Sequence, residues 1–365
     1  MSRYHWRNFE RFIKGHSMKH WLKYAVTVLS LAMSYAHAGS ISLGQAANYN
    51  MFVKGNFSAT TADTEGSAAI GGNLIINGGY DFGHITSNGN AATVTVAGNV
   101  QKSGSGWLNV YNGQQTNGKL VYGGTLTNSG GGIGGTVQQQ TSSVNFNTAF
   151  SQLEQLSSTL AAMTTPVATN RDNLNKVLTF TPAIANPNNV YVFNVTQDDL
   201  NSFHTIKVNN ANISSDALIV FNMTNPNGSV DDSWTANAKC SSGDKSCFQL
   251  TQTTYQVGNN STNSGHTVMD SHILFNFNGI NDLRIDSSIY GSILAPTAAI
   301  SAKGGVIWGQ VMAKSWSGDQ QVNWNALNVP TTTPTVNAPP VWLLLFLPLL
   351  IMLRRRSQAT AVAFA

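Results

Sequence analysis

One pair of similar segments constrains the fold of this chain more than any other feature. Residues 290–296 (YGSILAP) are echoed eighteen residues later by 308–314 (WGQVMAK), with an aromatic residue, a glycine and an aliphatic pair at matching positions. Short apolar runs separated by Gly, Ser, Asn and Asp are typical of a β-solenoid, in which each coil of short strands stacks on the next. The aligned Tyr290 and Trp308 are predicted to form a stacked column of the scaffold.

A second pattern, Gly-Asn followed by an apolar residue, begins at Gly55, Gly72 and Gly98, with looser copies at Gly118 and Gly124. Glycine reaches positive φ without steric cost, and asparagine tolerates the left-handed region. We therefore expect corners between strands here, in coils of unequal length. A chance cluster in a Gly-rich chain is the weaker explanation, because an apolar residue follows every Asn.

A helical periodicity interrupts the β pattern. Between Asn145 and Met163, apolar residues recur at spacings of three and four, which places them on one side of a helix. We predict a helix over about 147–163, capped by Asn147 and ended before Pro166. It should pack against the solenoid and mark where the chain changes direction before a second set of coils. The predicted fold class is therefore mainly β, a β-solenoid (β-helix-like) with one long α-helix packed alongside.

Residues 1–38 have the pattern of a secretory signal peptide. From Met18 onward, two lysines precede an apolar stretch, and Ala36-His37-Ala38 supplies small residues for a cleavage site. We predict cleavage after Ala38, with either Met1 or Met18 as the translation start. An uncleaved anchor is the weaker alternative, because the apolar stretch is too short to span a bilayer in the usual way.

The rest of the chain is predicted to consist of one large domain and an anchoring tail. The domain spans 39–327, and 328–340 is an exposed Pro/Thr linker. Residues 341–356 form an apolar anchor or sorting segment that ends in an arginine cluster, and 357–365 are a short tail. The apolar run is shorter than the roughly 20 residues of a spanning helix, so we expect a marginal or transient membrane anchor.

The exported part of the chain is mildly acidic, although the whole chain carries a net charge of +4. Between Gly39 and Asn337, eleven Lys and Arg face fifteen Asp and Glu, a balance of −4. A nucleic-acid partner therefore has no electrostatic support.

Four segments in order along the chain match a known family: 43–53, 65–73, 273–277 and the block 291–314. Together they resemble the choice-of-anchor A family, exported bacterial proteins whose shared domain precedes one of several anchoring tails. The resemblance covers about residues 42–324 and implies an adhesive domain, built as a β-helix with a flanking helix and without a known catalytic site. The tail resembles PEP-CTERM-like sorting tails, although Asn337-Ala338-Pro339 replaces Pro-Glu-Pro. The block 292–296 is also similar to one in ice-binding β-helix proteins.

Cys240 and Cys247, the two cysteines of the chain, are predicted to form a disulfide that staples a polar surface excursion over 227–265. Closing so short a loop would contribute about 2.5 kcal/mol in the chain-entropy model. A redox or metal pair is weaker, because neither a Cys-x-x-Cys spacing nor an adjacent histidine is present.

No catalytic, cofactor or metal site is predicted. Gly-x-Ser-x-Gly and His-Glu-x-x-His are absent from the sequence, and the pairs Asp198-Asp199 and Asp231-Asp232 lack the spacing of calcium loops. These carboxylates are interpreted as solvated turn residues. Arg171 and Arg284 are few basic groups for a lyase acting on acidic sugars. The histidines that follow the signal peptide are interpreted as surface or turn residues, namely His84, His204, His266 and His272.

Exposed tryptophans could stack on carbohydrate or on a protein partner, and five lie in the predicted domain 39–327: Trp107, Trp234, Trp308, Trp316 and Trp324. Trp316 and Trp324 are expected to cap the last coil, because a solenoid end must be covered. Threonines of 93–95 and 125–127 alternate on one strand face, as on an ice-binding surface. Two pairs do not outweigh the ordinary strand propensity of threonine.

These features together predict a non-catalytic structural or adhesive protein on the surface of a bacterial envelope. Its partner would be an extracellular or envelope ligand, such as a glycan, matrix or neighbouring cell, bound through many weak contacts. The C-terminal segment would contact the membrane, and no cofactor or nucleic acid is expected. An ice-binding β-helix protein and a carbohydrate-active enzyme on the same scaffold are the alternatives.

Overall fold

The computed structural model describes residues 41–85, 91–186, 188–230, 243–258, 260–261 and 268–330. Several predictions concern residues outside these ranges. They are the signal cleavage after Ala38, the C-terminal segments from 331 onward, and Asp231-Asp232, Trp234, Cys240 and His266.

The described elements are strands and a few helices. In chain order the strands are β1 Met51–Val53, β2 Phe57–Thr64, β3 Ala68–Ile70, β4 Leu74–Phe82, β5 Val94–Val96, β6 Val100–Ser103, β7 Leu108–Val110, β8 Lys119–Tyr122, β9 Leu126–Asn128, β10 Ile133–Gly134, β11 Thr136–Gln139, β12 Val167–Asp172, β13 Val177–Pro182, β14 Val190–Thr196, β15 Thr205–Val208, β16 Leu218–Thr224, β17 Cys247–Leu250, β18 Thr254–Val257, β19 Asn260–Ser261, β20 Ile273–Asn276, β21 Asp282–Ile285, β22 Ile289–Tyr290, β23 Ser292–Ala302, β24 Val306–Trp308, β25 Val311–Gly318 and β26 Gln321–Asn323. The helices are α1 Phe146–Ala162 and α2 Gln197–Ser202, with 3₁₀ helices at Gly44–Asn48 and Val268–His272.

The main sheet is wound into a parallel β-solenoid, which confirms the predicted fold class. Among the described residues it contains 21 strands, arranged on three sides that we name faces A, B and C. Face A consists of β14, β16, β20, the first halves of β23 and β25, β1, β3, β5, β8 and β11. Face B consists of β17, β21, the second halves of β23 and β25, the first halves of β2 and β4, β6 and β9. Face C consists of β22, β24, β26, the second halves of β2 and β4, β7 and β10.

A second, five-stranded sheet consists of β12, β13, β15, β18 and β19. In it, β13, β15 and β18 pair in parallel, whereas β12 and β19 are antiparallel to their neighbours.

The coils do not stack in the order of the sequence. Met51 on β1 pairs with Val311 on one side and with Ala68 on the other, so the first coil lies between the last coil and the second. From there the chain winds outward to β11, passes through α1 and begins a second series of coils at β14. The predicted change of direction at the helix is thereby confirmed.

Helix α1 covers part of face A. It begins at Phe146, because the Asn145 side chain caps it by accepting a hydrogen bond from the Thr148 backbone N–H at 3.1 Å. The cap was predicted at Asn147, two residues too late. Phe146 and Phe150 both stack on Phe52 of β1, with centroids 5.5 and 5.4 Å apart.

A polar cluster also fastens α1 to the sheet. The Asn276 amide donates to the Ser157 carbonyl at 3.0 Å and to the Asn222 side chain at 2.8 Å, and it accepts from the Ser157 hydroxyl at 2.6 Å. The Asn222 amide in turn donates to the Leu160 carbonyl at 2.9 Å. Because these groups are buried, their mutual satisfaction fixes the position of the helix on the sheet.

The two similar segments that dominate the sequence are neighbouring coils, as predicted. Tyr290 and Trp308 are register partners on β22 and β24. Both point outward and are half-buried, while Ile289 and Ile307 beside them fill the interior. A Cβ on Gly309 would lie 2.2 Å from the Gly291 carbonyl oxygen, so the matching glycines permit the close approach of successive coils.

Three predictions about the later half of the chain are wrong. Trp316 does not cap an end: it is buried in the core and lies in a coil that stacks on the first one. The polar excursion is not continuous, because Cys247–Leu250 is a fully buried strand of face B. Asp199 is not a solvated turn residue, because it is buried, completes the capping box of α2 and pairs with Arg171.

Candidate functional site

Face B carries an exposed outer column of short, uncharged side chains. Across neighbouring strands, Ser301 aligns with Ser317, Ser317 with Ser58, and Ser58 with Ile75. Gln101 and Thr127 continue the same column onto β6 and β9. These six side chains are half-buried or exposed. Because parallel strands lie about 4.8 Å apart, they form a straight row with that repeat.

The residues beneath this row hold it in register. Ile300, Trp316, Phe57 and Leu74 alternate with the outer residues and are buried in the core. A side chain that points outward on a strand is positioned by inward neighbours on both sides. The serine hydroxyls are therefore held on a packed surface and not on mobile loops.

An asparagine ladder borders the row at the corner between faces A and B. The Asn56 side chain accepts from the Asn73 N–H at 2.9 Å, Asn73 accepts from the Asn99 N–H at 2.9 Å, and Asn99 accepts from the Thr125 N–H at 2.8 Å. These are the Gly-Asn corners of the sequence, and Gly124-Thr125 is confirmed as a copy. Gly118 is not a corner of this ladder, because it precedes β8 of face A.

Face C carries two carboxylates on neighbouring strands. Asp63 and Asp81 are register partners, and Gln321 donates to Asp63 at 3.3 Å. Burial raises the pKa of Asp63 above its ordinary value, the nearby His84 opposes this, and Glu65 and Asp81 add to it. His84 lies 3.4 Å from Asp81 and stacks on Tyr111 with centroids 4.3 Å apart.

The family model of a "Putative Ice-binding-like adhesive domain" matches residues 42–324. The chain belongs to this family. No curated protein matches the chain.

Solved structures similar to this adhesive domain include three ice-binding proteins. One from an Antarctic biological consortium is 15% identical, with a TM-score of 0.35, and the match covers 79% of this chain and 91% of that one. One from the Antarctic ascomycete Antarctomyces psychrotrophicus is 11% identical, with a TM-score of 0.32, over 80% of this chain and 100% of that one. A glycosylated ice-binding protein from an Arctic yeast is 12% identical, with a TM-score of 0.32, over 81% of this chain and 98% of that one.

The threonine pairs predicted from the sequence separate in the adhesive domain. Thr93 and Thr95 are buried, and Thr95 aligns with Ala69 on face A. Thr125 and Thr127 are exposed on face B. Sequence alternation could not distinguish the two pairs, because both have the same local pattern.

The other polar residues singled out in the sequence do not converge on one site. His204 is exposed, whereas His272 is buried beside Ser271 and Asn328 at the end of a 3₁₀ helix, so of the predicted surface or turn positions it does not take the surface one. Arg284 is buried on face B. Within the described ranges, no three His, Cys, Asp or Glu side chains are placed to hold a metal ion.

Two further predictions concern the disulfide and the membrane anchor. Cys247 is buried at the start of β17, but Cys240 lies outside the described residues, so the disulfide stays a prediction. In the part of the chain that the structure describes, no helix is long and apolar enough to cross a membrane.

Proposed function

We propose that this adhesive domain is a non-catalytic binding module that attaches to a repetitive extracellular surface through face B. The observation that carries the proposal is the uncharged outer column from Ser301 to Thr127, held in register by a packed core. A straight row of side chains with a fixed repeat can contact a periodic surface at several points at once, and such contacts add to strong overall binding.

Ice is the first surface to consider. The family description names ice binding, and Ser301, Ser317 and Ser58 place three small hydroxyls next to one another on the row. Small hydroxyls can donate to and accept from ordered water without a large desolvation cost. The family description and the three hydroxyls support the ice-binding alternative at least as well as the main adhesive hypothesis.

Adhesion to a glycan, a matrix or a neighbouring cell is the second candidate. The family description equally names adhesion, and an array of Ser, Gln and Thr side chains can form hydrogen bonds with the hydroxyls of a polymer. Export through residues 1–38, attachment through 341–356 and membership of the choice-of-anchor A group, with its PEP-CTERM-like tail, would present face B at the cell surface.

A bulky substitution on face B tests both candidates. Ser317→Tyr and Ser58→Tyr would raise a ring above the row, whereas Ser202→Tyr places the same ring at the end of α2 as a matched control. Thermal hysteresis of the full chain, lost in the two face B variants and kept in Ser202→Tyr, would establish ice binding. Absence of hysteresis, with attachment of cells lost in the same two variants, would establish adhesion.

Two results would overturn the proposal. If Ser317→Tyr and Ser58→Tyr leave both thermal hysteresis and cell attachment unchanged, face B is not the binding surface. Release of reducing ends from a glycan panel, abolished by a point mutation, would show that the protein is an enzyme.

A further inference from the structure

Trp107 has an unusual position on face C, immediately before β7. Its side chain is 58% exposed, and the six-membered part of the indole lies directly over Gly132 of the next coil. A Cβ on Gly132 would lie 2.5 Å from both Cε3 and Cζ3 of the ring. Only a glycine therefore lets the indole rest on the backbone, and the opposite side of the ring faces solvent.

The strand that follows Trp107 extends this surface. Leu108 and Val110 point into the core, so Trp107, Asn109 and Tyr111 project from the same face. Steps of two residues along a strand cover about 6.6 Å, which places the two aromatic side chains roughly 13 Å apart with the amide between them. The result is a strip in which the Asn109 amide lies between the rings of Trp107 and Tyr111.

The neighbouring coils support the strip with polar side chains on one side and glycines on the other. On β4, Asp81 is the register partner of Asn109 and accepts a hydrogen bond from its amide at 2.9 Å. The ring of Tyr111 is supported by His84, at a centroid distance of 4.3 Å. On β10, the register partner of Asn109 is Gly134, where a Cβ would lie 2.7 Å from Asn109 Oδ1, so this glycine makes room for the Asn109 amide.

We propose that this strip, Trp107, Asn109 and Tyr111 with Asp81 and His84, binds a neutral polysaccharide lying along β7. The exposed face of Trp107 carries negative charge density that attracts the C–H bonds on one side of a sugar ring. Asn109 and Asp81 offer acceptors and a donor to the hydroxyls at the edge of the sugar. Tyr111 supplies a second ring several sugar units along the same chain.

The charge of the strip selects a neutral glycan over an acidic one. Residues 79–83, 107–111 and 132–134 contain one carboxylate, Asp81, and neither Lys nor Arg. Lys102, on the preceding strand, is buried and donates to the carbonyls of Ser103, Gly104 and Gly130. An acidic polysaccharide or a nucleic acid would be repelled by Asp81 and by its register partner Asp63, and His84 is the one basic side chain of the strip.

A folded protein fits the strip less well. Stable protein interfaces bury about 800 Å² on each partner around a packed apolar centre. Here a single strongly exposed aromatic side chain lies beside glycines, a narrow arrangement that suits one polymer chain. The strip lies on face C, and the outer column from Ser301 to Thr127 lies on face B, so this proposal does not depend on the proposed function.

Binding of defined oligosaccharides to the full chain tests the proposal. The probes are cellohexaose, chitohexaose and mannohexaose, with polygalacturonate as the acidic comparison and a gelatin-coated surface as the protein comparison. We expect binding of at least one neutral hexasaccharide, measured by calorimetry. Trp107→Ala should weaken it at least tenfold, Trp107→Phe should weaken it less, and Ser317→Tyr on face B should leave it unchanged.

Two further variants distinguish loss of the stacking surface of Trp107 from a general effect on the fold. Gly132→Ala keeps Trp107 but pushes the ring off the backbone, so it should weaken binding while the indole remains. Leu174→Ala removes another highly exposed side chain, outside faces A, B and C, and should have no effect. The proposal is overturned if no neutral hexasaccharide binds at millimolar concentration, if Trp107→Ala binds as tightly as the unchanged chain, or if only polygalacturonate or gelatin is bound.

Discussion

Phe57 and Trp316 stack on each other with ring centroids 6.2 Å apart and ring planes inclined by 14°. They are register partners on β2 and β25, in the first and the last coil of the sequence. Both are buried, so the solenoid core is continuous across the seam where the two ends of the domain meet. The stability of the whole stack therefore depends on this contact between distant parts of the chain.

We predict that Trp316→Ala destabilises the domain by about 3–5 kcal/mol, because it removes a large buried ring and leaves a cavity at the seam. Urea unfolding followed by circular dichroism measures the change. Trp107→Ala is the control and should lower the free energy of unfolding much less, since Trp107 is 58% exposed and packs on the backbone through one side of its ring. Equal losses in the two variants would contradict the position of Trp316 in the core.

Local patterns predicted the local structure well. The Gly-Asn corners and the three-and-four spacing of α1 are visible in the sequence, because a turn or a helix is determined by residues close together in the chain. The stacking order of the coils is not visible, since parallel pairing joins residues at any separation. For that reason Trp316, in the last coil of the sequence, was expected at an end and lies instead against the first coil.

The candidate site was harder to predict for the same reason. Ser58, Ser301 and Ser317 form one row only after coils from opposite ends of the domain stack together. The threonine pairs are visible in the sequence as local alternation, but Thr95 lies on face A and Thr127 on face B. The face on which a strand lies depends on how many corners precede it in its coil. Loops of unequal length make these corners hard to count in the sequence.

Gln310 connects the two ends of the domain, and its loss should loosen both. Its amide donates to the carbonyls of Ala47 and Tyr49 at 2.9 and 2.8 Å, and its carbonyl accepts from the Leu327 N–H at 2.9 Å. Gln310→Ala leaves these groups without that partner, so we expect a loss of at least about 2 kcal/mol.

Hydrogen exchange should locate the effect of Gln310→Ala. Amides of the 3₁₀ helix Gly44–Asn48 and of Leu327 should exchange faster, whereas Gln155→Ala, an exposed glutamine of α1, should change neither stability nor exchange there. Unchanged exchange around Leu327 in Gln310→Ala would show that the side chain does not hold the C-terminal segment.

The asparagine ladder should stabilise the outermost corner of face B. Asn99 accepts from both the N–H and the hydroxyl of Thr125, at 2.8 and 3.1 Å. We expect Asn99→Ala to cost about 1–2 kcal/mol and to speed exchange of the Thr125 amide, as seen by mass spectrometry. Asn99→Asp keeps the accepting oxygen and should retain the protection; equal exchange in both variants would argue against the ladder.

Two carboxylates should give opposite pH dependences of stability. Burial raises the pKa of Asp63 in the folded chain, so the folded state binds this proton more tightly than the unfolded state. Stability should therefore fall as pH rises from the unfolded pKa to the folded one, and the penalty persists above that window. Asp63→Asn should remove this slope and make the domain more stable at neutral pH.

Asp172 should behave in the opposite way. Hydrogen bonds from the backbone and then the side chain of Asn175, with one from the Leu174 N–H, lower the pKa of Asp172. Its contribution is complete above the unfolded pKa and is lost as pH falls through the folded pKa. Asp172→Asn should therefore destabilise at neutral pH and have little effect in strong acid. Urea midpoints from about pH 3 to pH 7 measure both slopes; a slope change of the same sign in the two variants would contradict these assignments.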